Sequence, residues 1–394
     1  MVSSSMRVGI VQRLDLPGGV QSVALSIIKG LNARSIIPDI IWDVPPKREM
    51  LEEKGLLAGY QPMQFPVATR LLDRLPLTFR HMMRTANILY SHQLPHPYDF
   101  YFIFYNGFLV SDGTPHLRYL SGPPLIPQLE TASPGLRGLP IRSFRWAYRR
   151  WLRQHLPTYE FHRDSHYVIN SQFTARLFEE AHGVQLQIIY PPIDLSGRSF
   201  DPNDLPRRDT VTFFSRFVPS KRPEMVLELS ALYPEDRFMM MGGVKSTNRD
   251  YFEGLRDKAR RSGLRNVEFI GNPSDRQVRE ELARTLFFVF PAVNEHFGMA
   301  TAEAIGSGAL PFVHDSGGQR EIVPDLRLRF TDDNFFERFS TLRQLPQEDL
   351  MAMRKSLREN VERFSEEAFI KKILAFMGKH AERGMKNEFQ VTTA

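Results

Sequence analysis

The chain has 394 residues, 42% of them hydrophobic and 24% charged, with a net charge of +6. That length exceeds one ordinary core and predicts two domains, and the balance excludes a disordered or fibrous chain. There is no run of 18 apolar residues and no cysteine, which excludes a membrane-spanning helix, disulfides and thiolate metal sites.

In chain order, Arg7 to Gln12 is expected to form a strand, and Leu14 to Gly19 has turn chemistry. Val20, Val23, Ala24, Ile27, Ile28 and Leu31 then recur at helical spacing. Further strands are predicted at Ile36 to Trp42, Phe100 to Phe104 and Tyr167 to Asn170. Before the last of these, Arg137, Arg142, Arg145, Arg149, Arg150 and Arg153 occur with no acid among them, interleaved with Phe144, Trp146, Tyr148 and Trp151. This stripe carries a charge equal to the whole excess, and so predicts a local anionic partner rather than nucleic acid. It reads equally well as an interfacial helix on an anionic membrane or as a surface helix whose aromatics pack on the first domain. Met1 to Arg7 lacks the parts of a signal peptide, so the expected location is cytoplasmic, with a peripheral membrane contact left open.

The Tyr190-Pro191-Pro192 break and the polar stretch after it set the expected boundary, giving domains over 1–190 and 191–374. Beyond it, strands are predicted at Val211 to Phe214, Arg237 to Met241, Val267 to Ile270, Leu286 to Phe290 and Ala309 to Val313, with a helix at Pro223 to Leu232. A final helix at about 375–390 is expected to pack back on the first domain. Strands alternating with helices predict an α/β chain of two Rossmann-like, doubly wound domains. Such sheets bind ligands beyond the carboxyl ends of their strands, which places the expected site in a cleft between them.

The densest chemistry lies in Pro291 to Gly318. Glu295 follows a predicted buried strand, Phe297-Gly298 opens a helix, and Glu303 lies within it. The amides of Phe297, Gly298 and Met299 would form an oxyanion site at the helix start, and Gly298 would admit a ligand close to the backbone. Carboxylates repel phosphate, so Glu295 and Glu303 are expected to meet sugar hydroxyls. Arg216 and Lys221 follow the second domain's first strand and suit a pyrophosphate.

Two glutamates eight residues apart, with Phe-Gly in the gap, resemble the donor motif of the retaining glycosyltransferases of family 4. The resemblance implies a glycosyltransferase B fold and transfer of a hexose from a nucleoside diphosphate sugar to an acceptor hydroxyl with retention. It implies that Glu295 holds the transferred sugar, that Glu303 holds the ribose, and that His296 to Met299 line the donor. Arg216 and Lys221 would neutralise the diphosphate, so that Glu295, Arg216 and Lys221 carry the catalysis. The Gly18-Gly19 turn matches the family's glycine-rich loop. Asn294 to Gly298 and the Tyr-Pro-Pro break are most similar to enzymes that use GDP-mannose, with a UDP-sugar as the other donor and a glycan or lipid-linked acceptor as partner. Where many members carry a histidine after the first domain's fourth strand, this chain has Ser121, so an idle nucleotide-sugar-binding protein stays open.

No cofactor or metal is expected, since Arg216, Lys221 and the helix dipole supply the positive charge that a cation would give. Asp332-Asp333 reads as a helix cap rather than a metal pair. The absence of G-x-G-x-x-G after the first strand argues against a dinucleotide-dependent dehydrogenase. Gly242 to Thr247 lacks the glycines of a P-loop.

Overall fold

Short apolar runs such as Phe100-Tyr101-Phe102-Ile103 and Phe287-Phe288-Val289-Phe290 are buried along their whole length, the pattern of parallel strands covered on both faces. In a computed structural model of the chain they belong to two parallel sheets. The structure describes residues 6–15, 18–64, 98–104, 114–123, 165–196 and 209–388, with single residues at 71, 110, 150, 198 and 201. Apart from Arg150, the basic stripe from Arg137 to Arg153 lies outside the described residues.

The chain divides into two compact units, Met1–Pro192 with Glu367–Ala394, and Ile193–Glu366. In the first, strands β1 (Val8–Val11), β2 (Asp39–Trp42), β3 (Gly59–Pro62), β4 (Phe100–Ile103), β5 (His116–Leu120), β6 (His166–Ile169) and β7 (Gln187–Ile188) form one sheet in the order 3-2-1-4-5-6-7. Helix α1 (Gly19–Asn32) buries Val23, Ala24, Ile27, Ile28 and Leu31, the apolar stripe that the sequence spacing predicts. Helices α2 (Arg48–Glu53) and α3 (Gln172–His182) follow. Ser171 caps α3 by accepting from the amide of Thr174, and Gly183 ends it in the left-handed region at φ 66°.

The second unit has strands β8 (Thr210–Phe214), β9 (Arg237–Gly242), β10 (Val267–Gly271), β11 (Phe287–Phe290), β12 (Leu310–His314) and β13 (Arg329–Phe330), in the order 10-9-8-11-12-13. Relative to the unit's own strands this is again 3-2-1-4-5-6, the doubly wound arrangement. The sheet therefore continues past Val313, where the sequence suggested it would close. A two-residue strand carries too little periodicity to be read. Its helices are α4 (Pro223–Leu232), α5 (Arg249–Arg261), α6 (Asp275–Arg284), α7 (Met299–Gly306), α8 (Gln319–Ile322), α9 (Phe335–Arg343) and α10 (Gln347–Val361).

The last helix, α11 (Glu366–Glu388), belongs to the first unit from Glu367 onward, eight residues before the position expected from sequence. Phe369, Ile373, Leu374, Met377 and Ala381 sit in one core with Val8 and Ile10 of β1, Ile27 and Leu31 of α1, and Leu117 and Tyr119 of β5. A Cβ on Gly30 would lie 2.6 Å from Ile370 Cγ2, so glycine lets α1 approach α11 closely. No helix among the described residues is long and apolar enough to cross a membrane.

Because α11 completes the first unit's core, Ile373→Ala should cost about 2–5 kcal/mol of that unit's stability. Hydrogen exchange should quicken in β1, α1 and β5 and stay unchanged in β8 to β12. Faster exchange in the second sheet would assign the helix to the other core.

Candidate functional site

Strand order places one feature of the second unit apart from the rest. The chain leaves β8 toward β9 on one side and leaves β11 toward β12 on the other, so β8 and β11 flank the switch point of the sheet. Ligands of doubly wound sheets bind outside the carboxyl ends of that strand pair. The two segments leaving those ends carry Arg216 with Lys221, and Glu295.

After β8, Phe217 is fully buried and packs on Phe252 at 4.7 Å between ring centroids, while its neighbour Arg216 is exposed. Asn248 holds this loop by donating to the carbonyls of Phe217 and Gly243 at 2.8 and 3.1 Å. A Cβ on Gly242 would fall 1.5 Å from the Ser215 carbonyl oxygen, so only glycine lets the loop cross the end of β9. The Arg216 guanidinium makes no hydrogen bond or ion pair with any described residue. Lys221 closes a short 3₁₀ turn, Pro219–Lys221, and Arg222 then takes φ 54° before Pro223 starts α4.

After β11, Asn294 takes φ 52° and Glu295 turns back so that its carboxylate forms an ion pair with the Lys221 ammonium. The Lys221 Nζ also lies 5.5 Å from the Phe290 ring centroid. The turn at Gly317-Gly318 packs on the Glu295 loop. A Cβ there would stand 2.4 Å from the Glu295 carbonyl oxygen and 2.3 Å from that of His296, and the Gly318 amide donates to Glu295 at 2.7 Å. Burial pushes the His296 pKa down, the Lys221 charge adds to this and Glu295 opposes it, so the imidazole is neutral near pH 7.

The Phe297 side chain turns into the core and meets Phe364 edge-on at 5.2 Å, which leaves its backbone as the part able to face a ligand. Gly298 is the N-cap of α7 at φ 110°, a conformation that favours glycine. By helix geometry the amides without an i−4 carbonyl run from Gly298 to Thr301, starting one residue later than the set inferred from sequence and ending two residues later. Met299 opens this turn, and Glu303 follows one turn further along.

Glu303 has a partner that sequence reasoning missed. Arg198, only 6% exposed in its side chain, lies 3.7 Å from the Glu303 carboxylate. It donates to the Asp194 carbonyl at 2.6 Å, to Ser307 Oγ at 2.9 Å and to the Glu303 carbonyl at 3.3 Å. A Cβ on Gly306 would lie 2.6 Å from Leu195 Cδ2 and 3.3 Å from Arg198 Cδ, so glycine admits this segment against α7. Burial raises the Glu303 pKa and the Arg198 charge opposes that shift. The Asp194-Leu195-Ser196-Gly197-Arg198 stretch has no periodicity to announce such a contact; its only signal is a cation just past the domain boundary.

Asp332 is not a helix cap, contrary to the sequence reading. Asn334 is the N-cap of α9, and Asp332 instead accepts from Arg222 at 2.6 Å and approaches His314 Nε2 at 3.4 Å. Gly18, Gly19 and Ser121 belong to the other unit. Gly18 caps the start of α1 after β1, and Ser121 follows β5, its carbonyl accepting from Asn170 at 3.1 Å. The second unit brings Lys221, Glu295 and His296 together at the switch point, with Gly298, Met299 and Glu303 on the adjoining α7; Arg216 lies on the same loop as Lys221.

Residues 198–331 match the family described as glycosyl transferases group 1. Among curated relatives, a GDP-Man:Man(3)GlcNAc(2)-PP-Dol alpha-1,2-mannosyltransferase of Dictyostelium discoideum is 27% identical over 250 residues, covering 56% of this chain and 48% of that protein. The mouse protein of the same name is 23% identical over 242 residues, covering 54% of this chain and 48% of its own. The chain thus spans about half the length of these curated relatives. Among solved structures, the Anabaena protein HepE in complex with UDP and glucose matches with a TM-score of 0.67 and 17% identity over 95% of this chain and 99% of that one; at that identity the likeness bears on fold alone. Two parallel-sheet Rossmann-like units are the fold shared with that structure, and the residues matched by the glycosyl transferases group 1 model, 198–331, include Arg216, Lys221, Glu295 and Glu303.

Proposed function

We propose that the chain transfers a hexose, with mannose favoured, from a nucleoside diphosphate sugar to an acceptor hydroxyl, with retention of configuration and without a metal ion. The observation that carries this reading is the Lys221–Glu295 pair at the switch point of a group 1 domain. One cation faces a leaving diphosphate there, and one carboxylate faces the sugar. The donor choice is supported by the relatives whose names specify GDP-mannose.

In this reading Arg216 and Lys221 bind the diphosphate, joined by the amides at the start of α7. Glu295 accepts from hydroxyls of the transferred sugar, and Glu303 accepts from the ribose. The bond from the sugar's anomeric carbon to the diphosphate oxygen breaks, and its electron pair leaves with the diphosphate. The acceptor oxygen bonds to the same carbon from the same face and passes its proton to the departing diphosphate. Positive charge fixed before the reaction stabilises the leaving group as its charge develops, at no cost of reorganisation. The lipid-linked substrate in the relatives' name makes a lipid-linked glycan the favoured acceptor, with a soluble glycan as the other.

Titration of wild-type protein with GDP, GDP-mannose and UDP-glucose in excess EDTA should show binding of one diphosphate and its sugar, followed by slow hydrolysis of the bound donor. Arg216→Ala and Lys221→Ala should each weaken the diphosphate by about 1.5–3 kcal/mol, the worth of a charge-assisted contact. Binding restored only by magnesium or manganese would overturn metal independence. Binding without any hydrolysis or transfer would favour an idle nucleotide-sugar-binding protein.

Glu303 supplies a separate test. Its carboxyl titrates above the ordinary value of 4.5 because it is buried, so the folded state holds its proton more tightly than the unfolded state does. Its ionised form therefore opposes folding above the raised pKa, and that opposition disappears below the ordinary carboxylate range. Glu303→Gln should melt at least as high as wild type at pH 7, by a margin that closes as the pH falls toward 4, yet bind GDP more weakly. A variant both less stable at pH 7 and unchanged in GDP affinity would make Glu303 a structural residue.

A further inference from the structure

Only four described non-glycine residues take positive φ: Ser35, Arg222, Asn272 and Asn294. Two of them adjoin the ion pair directly, Arg222 following Lys221 and Asn294 preceding Glu295. Such conformations cost energy and persist where the surroundings impose them. A continuous chain of polar contacts joins these two residues. Arg222 Nη1 donates to Asp332 Oδ1 at 2.6 Å. His314 Nε2 approaches the same oxygen at 3.4 Å. His314 Nδ1 lies 2.8 Å from Ser316 Oγ, and that hydroxyl oxygen accepts from the Asn294 amide at 2.7 Å.

The direction of the chain follows from its chemistry. The Asn294 amide can only donate and the Asp332 carboxylate can only accept. A neutral imidazole with its proton on Nε2 satisfies both sides: Ser316 donates to Nδ1, and Nε2–H points at Asp332. Burial also pushes the His314 pKa down, with Asp332 opposing and Arg222 assisting that shift. His314 ends β12 and Asp332 lies just after β13, the two strands beyond β11 in the sheet.

We propose that Arg222, Asp332, His314 and Ser316 form a brace that fixes the strained residues beside Lys221 and Glu295, and so positions those two side chains for the donor. Neither His314 nor Asp332 needs to touch the ligand. The brace holds the loop after β8 to the loop after β11 by way of two further strands, so the separation between diphosphate cation and sugar carboxylate is set by the sheet rather than by the loops. Placement of reacting groups to within a fraction of an ångström depends on supports of this kind.

The positioning role rests on the donor-site reading above, whereas the brace itself can be tested without ligand. Asp332 is 59% exposed and Ser316 is half-buried, so their variants should fold. In ligand-free protein, Ser316→Ala and Asp332→Ala should speed hydrogen exchange of the peptide containing Asn294 and Glu295 about fivefold or more, with α5 and α10 unchanged. Ser316→Thr keeps the hydroxyl and should retain wild-type exchange. For hydrolysis of GDP-mannose, the two alanine variants should lower kcat about tenfold while KM moves less than about threefold, and threonine should restore kcat. Unchanged exchange in both alanine variants would remove the brace, and changed exchange with unchanged kcat would remove its positioning role. If wild-type protein neither binds nor hydrolyses a nucleotide sugar, the donor reading fails and the exchange result alone decides the brace.

Discussion

The ion pair between Lys221 and Glu295 is the interaction on which the second unit's architecture converges. Its two ends lie 74 residues apart in sequence, and only the strand order that makes β8 and β11 neighbours brings them together. Each loop is anchored by an aromatic turned into the core, Phe217 on one side and Phe297 on the other. Each also crosses a place where a side chain would collide with backbone, at Gly242 and at Gly317-Gly318. The glycines and phenylalanines therefore act for the charged residues beside them: they set where the backbone runs, and the charges follow.

Opposite charges at a partly buried site are costly to separate and gain little by being there. Their presence at a sheet's switch point, beside residues held at positive φ, is hard to account for by stability alone. The proposed donor would resolve the tension, because its diphosphate would meet Lys221 and its sugar hydroxyls would donate to Glu295. The Arg198–Glu303 pair follows the same logic one turn along α7, where burial raises the carboxyl's pKa and a nearly buried guanidinium offsets part of the cost. The unit thus keeps two carboxyl groups close to a helix N-terminus that favours anions, each beside its own cation.

Much of this was legible in the sequence where the signal is local. Apolar runs marked β8 to β12, three of them ending at Gly242, Gly271 and Pro291, while Pro223 marked the first turn of α4 and the stripe from Val23 to Leu31 marked α1. Glu295, Arg216 and Lys221 stand out because they lie in the loops after such strands, whereas Glu303, inside α7, is singled out by the resemblance to the family's donor motif. What could not be read is non-local or too short. The two-residue strands β7 and β13 carry no period. Arg198 and Asp332 lie in irregular segments, and their partners Glu303 and Arg222 are more than a hundred residues away. The return of α11 to the first unit was placed late because one unbroken helix runs from Glu366 to Glu388, with no residue to mark where the chain changes unit.

The central claim is that Glu295 occupies, in the free protein, the cation that a diphosphate requires. A double-mutant cycle on GDP affinity, measured by calorimetry in wild type, Glu295→Gln, Lys221→Ala and the double variant, tests it most directly. Freed from its carboxylate, Lys221 should bind GDP more tightly in Glu295→Gln than in wild type, and that gain should vanish when Lys221 is alanine. A Glu295→Gln protein that binds GDP more weakly than wild type, or a gain that persists without Lys221, would contradict it.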